Sequence, residues 1–170
     1  MAVIIRPARE FDLGSLRTIF DYGDDFHAAA LPALFTPGPD SRRSDDFLLS
    51  CLNNAEGALF LAEEGTRPCG LMYVLERSAP DLPLFVPRRY ALVDTLIVMP
   101  EAQRRGIGRA LLGHAEEWAR QRGLAQVELG VHEFNVGAIA LYEAVGYRTE
   151  RRVMAKQLPA SSQAHLDREF

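Results

Sequence analysis

Apolar and polar positions fall into blocks whose period changes several times along the chain. Val3-Ile4-Ile5-Arg6 is a short apolar run closed by Pro7, which predicts a first strand. Leu13, Leu16, Ile19 and Phe20 then recur at helical spacing behind Asp12. They predict a helix with Asp12 as its N-cap and Phe11 as a staple residue. From Gly23 to Arg43 the periodicity breaks. Pro32, Pro37, Gly38 and Pro39 punctuate a run that still carries Phe26, Leu31, Leu34 and Phe35. That mixture predicts an ordered, partly buried connection. A second helix, with Phe47, Leu48, Cys51 and Leu52, is expected to start after Asp40 or Ser44.

Two strands follow, Ala58 to Ala62 and Gly70 to Leu75, and the turn residues Gly65 and Pro68 between them predict an antiparallel pair. Ser78 to Arg89 reads as a proline-marked loop. Tyr90 to Val98 is the longest β-like run and ends at Pro100. Ile107, Leu111, Ala115 and Trp118 line one face of a helix expected from Arg104 to Arg122, with Gly123 as its stop. Gln126 to Val131 reads as a strand and Asn135 to Val145 as a helix closed by Gly146. Tyr147 to Leu158 alternates enough to predict one last strand or a hairpin, and residues 159–170 a flexible tail. A strand-helix-strand unit in the second half makes part of the sheet parallel.

Composition narrows the class without choosing a function. The 170 residues, 48% of them apolar, suit one domain, expected over 1–158. A formal net charge of -4 argues against nucleic acid as the main partner. The opening apolar run is too short for a signal peptide, and no stretch approaches the roughly 20 apolar residues of a membrane span. A cytoplasmic protein with no membrane partner is expected. Cys51 and Cys69 read as reduced, buried thiols, and His27, His114 and His165 show no ligand spacing, so no metal is expected.

The chemistry concentrates at Gln103-Arg104-Arg105-Gly106-Ile107-Gly108-Arg109. Two glycines in the first turn of an amphipathic helix each cost about 1 kcal/mol against alanine. That cost has a use if a ligand lies directly on the backbone. A helix start also offers unpaired N–H groups and the positive end of the dipole, and three arginines add charge, so a pyrophosphate fits. A plain entry turn with solvated arginines is the alternative. A dinucleotide-binding turn fits worse, because Leu111 replaces its third small residue and seven residues separate Val98 from Gly106.

The run Leu96-Ile97-Val98-Met99-Pro100-Glu101-Ala102-Gln103-Arg104-Arg105-Gly106-Ile107-Gly108-Arg109-Ala110-Leu111-Leu112 resembles the acetyl-CoA motif of the GNAT (GCN5-related) N-acetyltransferase superfamily. Leu129-Gly130-Val131, Asn135, Ala138 and Leu141-Tyr142-Glu143-Ala144-Val145-Gly146-Tyr147 resemble its second motif. The resemblance is clear from about Asp94 to Tyr147 and holds only in outline over residues 23–89. It implies an α/β fold, a GNAT-like mixed central sheet of six or seven strands with helices on both faces. It also implies acetyl transfer from acetyl-CoA, as cosubstrate, to a primary amine, either a small molecule or a peptide N-terminus. A homodimer is a possible assembly.

The resemblance further implies roles for single residues. Leu96, Ile97 and Val98 would line the coenzyme arm, the 103–109 segment its pyrophosphate, and Asn135 the arm again, besides capping its helix. Tyr142 would protonate the departing thiolate. A phenol near pKa 10 can supply that proton, although Ala138, Leu141, Tyr142 and Val145 also read as one apolar helix face. Asp94 is the candidate base. Strand alternation puts it on the face of Leu96 and Val98, and an ion pair or hydrogen bond within the sheet is the competing reading. Glu128 and His132 are weaker candidates. Asp21, Asp24 and Asp25 read as a solvated acidic loop. A non-catalytic acyl-CoA-binding regulatory module shares the phosphate turn, and transfer of a longer acyl group is a further alternative.

Overall fold

The computed structural model describes residues 3–39 and 42–158. The expected tail at 159–170, with His165, and Asp40 as a helix start lie outside them. Among the described residues there are five strands, β1 (Val3–Pro7), β2 (Gly57–Glu64), β3 (Arg67–Ser78), β4 (Arg89–Val98) and β5 (Val127–Leu129). Four α-helices accompany them, α1 (Leu13–Ala30), α2 (Asp45–Leu52), α3 (Ile107–Gln121) and α4 (Val136–Ala144). The strands form one sheet in the order β1-β2-β3-β4-β5. Neighbours are antiparallel except the last pair, β4 and β5, which run parallel because α3 crosses between them.

Both sheet faces are covered, as expected for an α/β domain. On one face Leu16, Phe20 and Leu48 of α1 and α2 pack on Leu59, Leu61 and Leu71. On the other, Leu111, Leu112 and Ala115 of α3 pack on Met72, Val74 and Val93. β2 and β3 are buried on both faces and read as continuous apolar runs, whereas the helices show the spaced pattern. Cys51 and Cys69 are free and buried. No helix among the described residues is long and apolar enough to cross a membrane.

Three expectations need correction. The sheet has five strands rather than six or seven, because residues 148–158 form none and are exposed throughout. Val153 and Met154, 81% and 87% exposed, are adjacent and so would point to opposite faces of a strand. With no single face to bury, pairing does not offset the entropy of ordering. Second, α1 does not stop near Gly23 but continues to Ala30. No proline interrupts it before Pro32, and the glycine is accommodated because it faces β4. Third, Asp12 makes no side-chain cap to α1, and Phe11 is 74% exposed rather than a staple. Ser44 does cap α2, accepting the Phe47 N–H at 3.2 Å.

Asp12 serves a different purpose. It is 6% exposed and accepts two hydrogen bonds from the Arg6 guanidinium at 2.8 Å and one from the Arg9 N–H at 2.8 Å. Arg6 also holds Glu63 with two bonds of 2.8 Å, so one side chain ties β1, β2 and the entry to α1. The Arg6 bonds hold the Asp12 carboxyl below the usual aspartate range. Its contribution is therefore present above the unfolded-state pKa, near 4, and is lost as pH falls through the lower folded value. Asp12→Asn is expected to cost about 1–3 kcal/mol at neutral pH. It should also flatten the acid limb of stability below about pH 4, read by urea unfolding across a pH series.

Candidate active site

The site grows from one extra residue in β4. In the β3–β4 ladder Tyr73 pairs with Thr95 and Val74 with Val93, which leaves Asp94 unmatched. This is a β-bulge, which bends its strand and adds twist. It falls directly after Val93↔Leu129, the last of the three residue pairs that join β4 to β5. Beyond it the two parallel strands separate, and among the described residues no strand pairs with β4 on that side. A cleft of about 240 Å³ opens there. Asp94, Leu96, Gly130, Asn135 and Tyr142 line it from the strands and α4, and Gly23 and His27 from α1.

The bulge also corrects the reading of Asp94 from simple alternation. Asp94 stands unpaired between Val93, opposite Val74, and Thr95, opposite Tyr73, and the Thr95 hydroxyl donates to the Asp94 carboxylate at 3.0 Å. Burial pushes the Tyr73 phenol and the Cys51 thiol on the α1/α2 face up, and Asp94 is near enough to both to add the smallest of the contributions in the same direction. Leu96 and Val98 lie on the opposite face, against the α3 core. Ile97 joins the α1 side. There α1 comes so close that a Cβ on Gly23 would stand 2.4 Å from Ile97 Cδ1.

β4 leads through a 3-10 turn, Pro100–Ala102, into the 103–106 turn. Gln103 donates to the Val98 carbonyl at 3.0 Å and fixes the turn to the strand end. Arg104 has φ 61° and Gly106 φ 82°, so α3 begins at Ile107 rather than at Arg104 as expected. A bulky residue at positive φ is strained backbone, and such strain collects at ligand sites. Gly106 gives α3 no side-chain cap, so the first N–H groups of that helix stay open. Arg104 and Arg109 are exposed and make no ion pair among the described residues, whereas Arg105 is bound to Glu64 through both carboxylate oxygens. Gly108 has a packing reason too, since a Cβ there would lie 2.8 Å from Leu141 Cδ2 of α4.

Asn135 accepts the Ala138 N–H at 3.2 Å and caps α4. Tyr142, about two turns further on, is 9% exposed, lines the cleft, and has its phenol pushed up by burial. Its ring rests against Tyr147, with centroids 6.1 Å apart. Glu128 is bound to Arg88 at 2.7 Å and does not line the cleft, whereas His132 does. The sequence pattern missed His27, Phe35 and Arg43, which also line it. Gly23 and His27, four residues apart, belong to one helix face, and that signal was hidden once α1 was ended early. The Asp21, Asp24 and Asp25 group is part of α1 and is paired with Arg42 and Arg43 rather than being a solvated loop.

Comparison with known proteins follows the same lines. The model of the Acetyltransferase (GNAT) family matches residues 24–147. An uncharacterized N-acetyltransferase of Bacillus subtilis, YhfO, is 27% identical over 86% of this chain and 90% of its own length. The ribosomal protein bS18-alanine N-acetyltransferase of Escherichia coli is 44% identical over 57 residues, 34% of this chain and 38% of that protein. Among solved structures, a variant of the BH1408 protein from Bacillus halodurans superimposes with a TM-score of 0.86 at 18% identity, over 92% of this chain and 99% of that one. The aminoglycoside acetyltransferase AAC(6')-Iy, in complex with a bisubstrate analogue of CoA and acetylneamine, does so with 0.71 at 17% identity, over 94% and 99%.

The support behind Tyr142 is testable. The Tyr147 hydroxyl is buried without a hydrogen-bond partner among the described residues, and burial pushes its pKa up to about 12. The folded state thus prefers the neutral phenol, and stability falls as pH rises from the ordinary value near 10 through about 12. Tyr147→Phe is expected to stabilise by about 1 kcal/mol, removing an unsatisfied buried group, and to blunt the alkaline loss. Thermal melts between neutral and strongly alkaline pH check both.

Proposed function

From a chain that belongs to the acetyltransferase (GNAT) family, we propose an enzyme that moves an acetyl group from acetyl-CoA to a primary amine by direct attack within a ternary complex. The observation that carries the reading is the strained turn at Arg104 and Gly106, opening uncapped N–H groups beside the end of a splayed strand. A pyrophosphate suits that turn, because it fills orphan donors and meets the positive end of the helix dipole. Arg104 and Arg109 are free to add charge, and Gln103, Ile107 and Gly108 shape the approach. Arg105 would have to leave Glu64 to take part.

Acetyl-CoA supplies an activated thioester, and the chain's own groups do the rest. The β4 backbone around Leu96, Ile97 and Val98, paired with β3 but left open on its β5 side beyond Val93, would pair with the amide-bearing arm and offer an N–H to the developing oxyanion. Asn135 reaches the same cleft. Asp94 attracts the acceptor ammonium and takes one proton from it, directly or through water. The freed amine forms the new C–N bond, the C–S bond breaks, and Tyr142 donates its proton to the departing sulfur. Burial favours the neutral, proton-bearing phenol, the form this role requires. The nitrogen then gives up a second proton, which restores the Tyr142 phenol, and Asp94 releases its proton to solvent, so the sum is amide, free thiol and one proton.

Two outcomes test the reading. Arg104→Glu with Arg109→Glu places two carboxylates at an exposed turn where no folding contact is lost. Calorimetric affinity for acetyl-CoA is expected to fall at least tenfold, with a steep salt dependence in the parent that the variant lacks. Unchanged affinity removes the turn from the site. Tyr142→Phe is expected to keep acetyl-CoA affinity while turnover of an accepted amine falls on the order of 10²-fold. A non-catalytic binding module would show no thiol release in the parent with any amine.

A further inference from the structure

We infer that the acceptor is a small monoamine with a flat aromatic body, held by a ring-lined subsite at the mouth of the cleft. The inference rests on the acetyl-transfer reading above and names its second substrate.

Three separate segments bring rings to one place. α1 contributes Phe26 and His27, the connection after α1 contributes Phe35, and the connection after β5 contributes His132 and Phe134. Centroids lie 5.5 Å apart for His27–Phe35, 5.6 Å for Phe35–His132, 5.8 Å for His27–His132 and 5.5 Å for Phe26–Phe134. His27, Phe35 and His132 line the cleft together with Asp94. The rings are not loose. His27 Nδ1 donates to the Gly23 carbonyl at 2.8 Å, which fixes both the ring plane and the nitrogen that carries the proton. At these spacings the rings pack on one another, and the sides of His27, Phe35 and His132 that line the cleft can take a further ring edge-on or offset, the arrangements aromatic pairs favour.

Charge and size narrow the guest further. Two carboxylates line the cleft, Asp24 and Asp94. Asp24 is already bidentate with Arg43 at 2.9 and 3.0 Å. Arg43 in turn lies over the rings of Phe20 and Phe47, 4.4 and 5.1 Å from their centroids. Just outside, Asp21 and Asp25 are paired with Arg42 at 3.7 and 2.9 Å. Of these four carboxylates, only Asp94 is left without a cation among the described residues, and one free carboxylate matches one ammonium. An aminosugar of several rings and several ammonium groups would meet carboxylates that arginines have already neutralised. It would also need more room, since drug-sized ligands occupy roughly 300–1,000 Å³ and this cleft measures about 240 Å³.

The test separates the acceptor subsite from the donor site. The protein, free and saturated with CoA, is titrated by calorimetry with 2-phenylethylamine, n-butylamine, kanamycin and an alanine-led tetrapeptide. Acetyl-CoA is titrated separately. 2-Phenylethylamine is expected to bind at least tenfold tighter than the other three, and to be the best of the four in thiol release. Phe35→Ala and His132→Ala are each expected to weaken it about tenfold while acetyl-CoA affinity and the melting temperature stay at parental values. His132 is exposed, so its variant reads the subsite even if loss of the Phe35 ring loosens the loop. Equal binding of the aromatic and aliphatic amines, tighter binding of kanamycin or the peptide, or no binding of 2-phenylethylamine overturns the inference. Failure of acetyl-CoA to bind overturns the donor reading instead, and the amine titration of the free protein still reports on the rings.

Discussion

Everything at the site depends on a mismatch of one residue between β3 and β4. Asp94 has no partner across the ladder, so β4 must bend there, and the bend comes where its parallel pairing with β5 ends. A regular ladder would keep β4 and β5 together, leave no gap, and send Asp94 to the α3 side with Leu96 and Val98. The bulge does three things at once. It opens the cleft, exposes β4 backbone that a ligand can pair with, and turns a carboxylate toward α1. The surrounding packing holds it in place, because Met72 and Leu96 pair on one face and Tyr73 and Thr95 on the other.

The second constraint is how closely the helices approach that bent strand. α1 comes near enough at Gly23, and α3 near enough to α4 at Gly108, that a side chain at either position would have to displace Ile97 or Leu141. His27 is thereby set one turn beyond Gly23 at the cleft, and Tyr142 one residue beyond the Leu141 contact. Gly108 illustrates why a glycine in a binding motif has more than one reading. Its smallness also lets the Leu141 side chain lie against it, whether or not a phosphate lies nearby.

Much of this was legible in the sequence, and the limits have physical reasons. The four longer strands, the two helices of the second half and the turn at 103–108 follow from periodicity and glycine placement, which are local signals. The bulge is not local. It is a relation between Tyr73, Val74 and Asp94 that exists only once the strands pair, so alternation put Asp94 on the wrong face. Ending α1 at Gly23 had the same origin, since a glycine reads as a break unless the strand it packs against is known. The last strand failed for the opposite reason. A local alternation at Tyr147 to Leu158 was present, but no surface was there to receive it. The ring cluster lay beyond reach because its members come from residues 26–35 and 132–134, far apart in the chain.

The uncapped start of α3 has an evolutionary consequence. A serine, threonine, asparagine or aspartate at a helix entrance gains about 1 kcal/mol over alanine but only a few tenths over glycine, and at φ 82° each would strain the backbone at Gly106. The backbone shape that leaves the entrance open is therefore the one that keeps a capping side chain out. Folding and ligand access ask for the same residue, so a selection for heat resistance alone, with the reaction irrelevant to survival, would be expected to leave Gly106 in place.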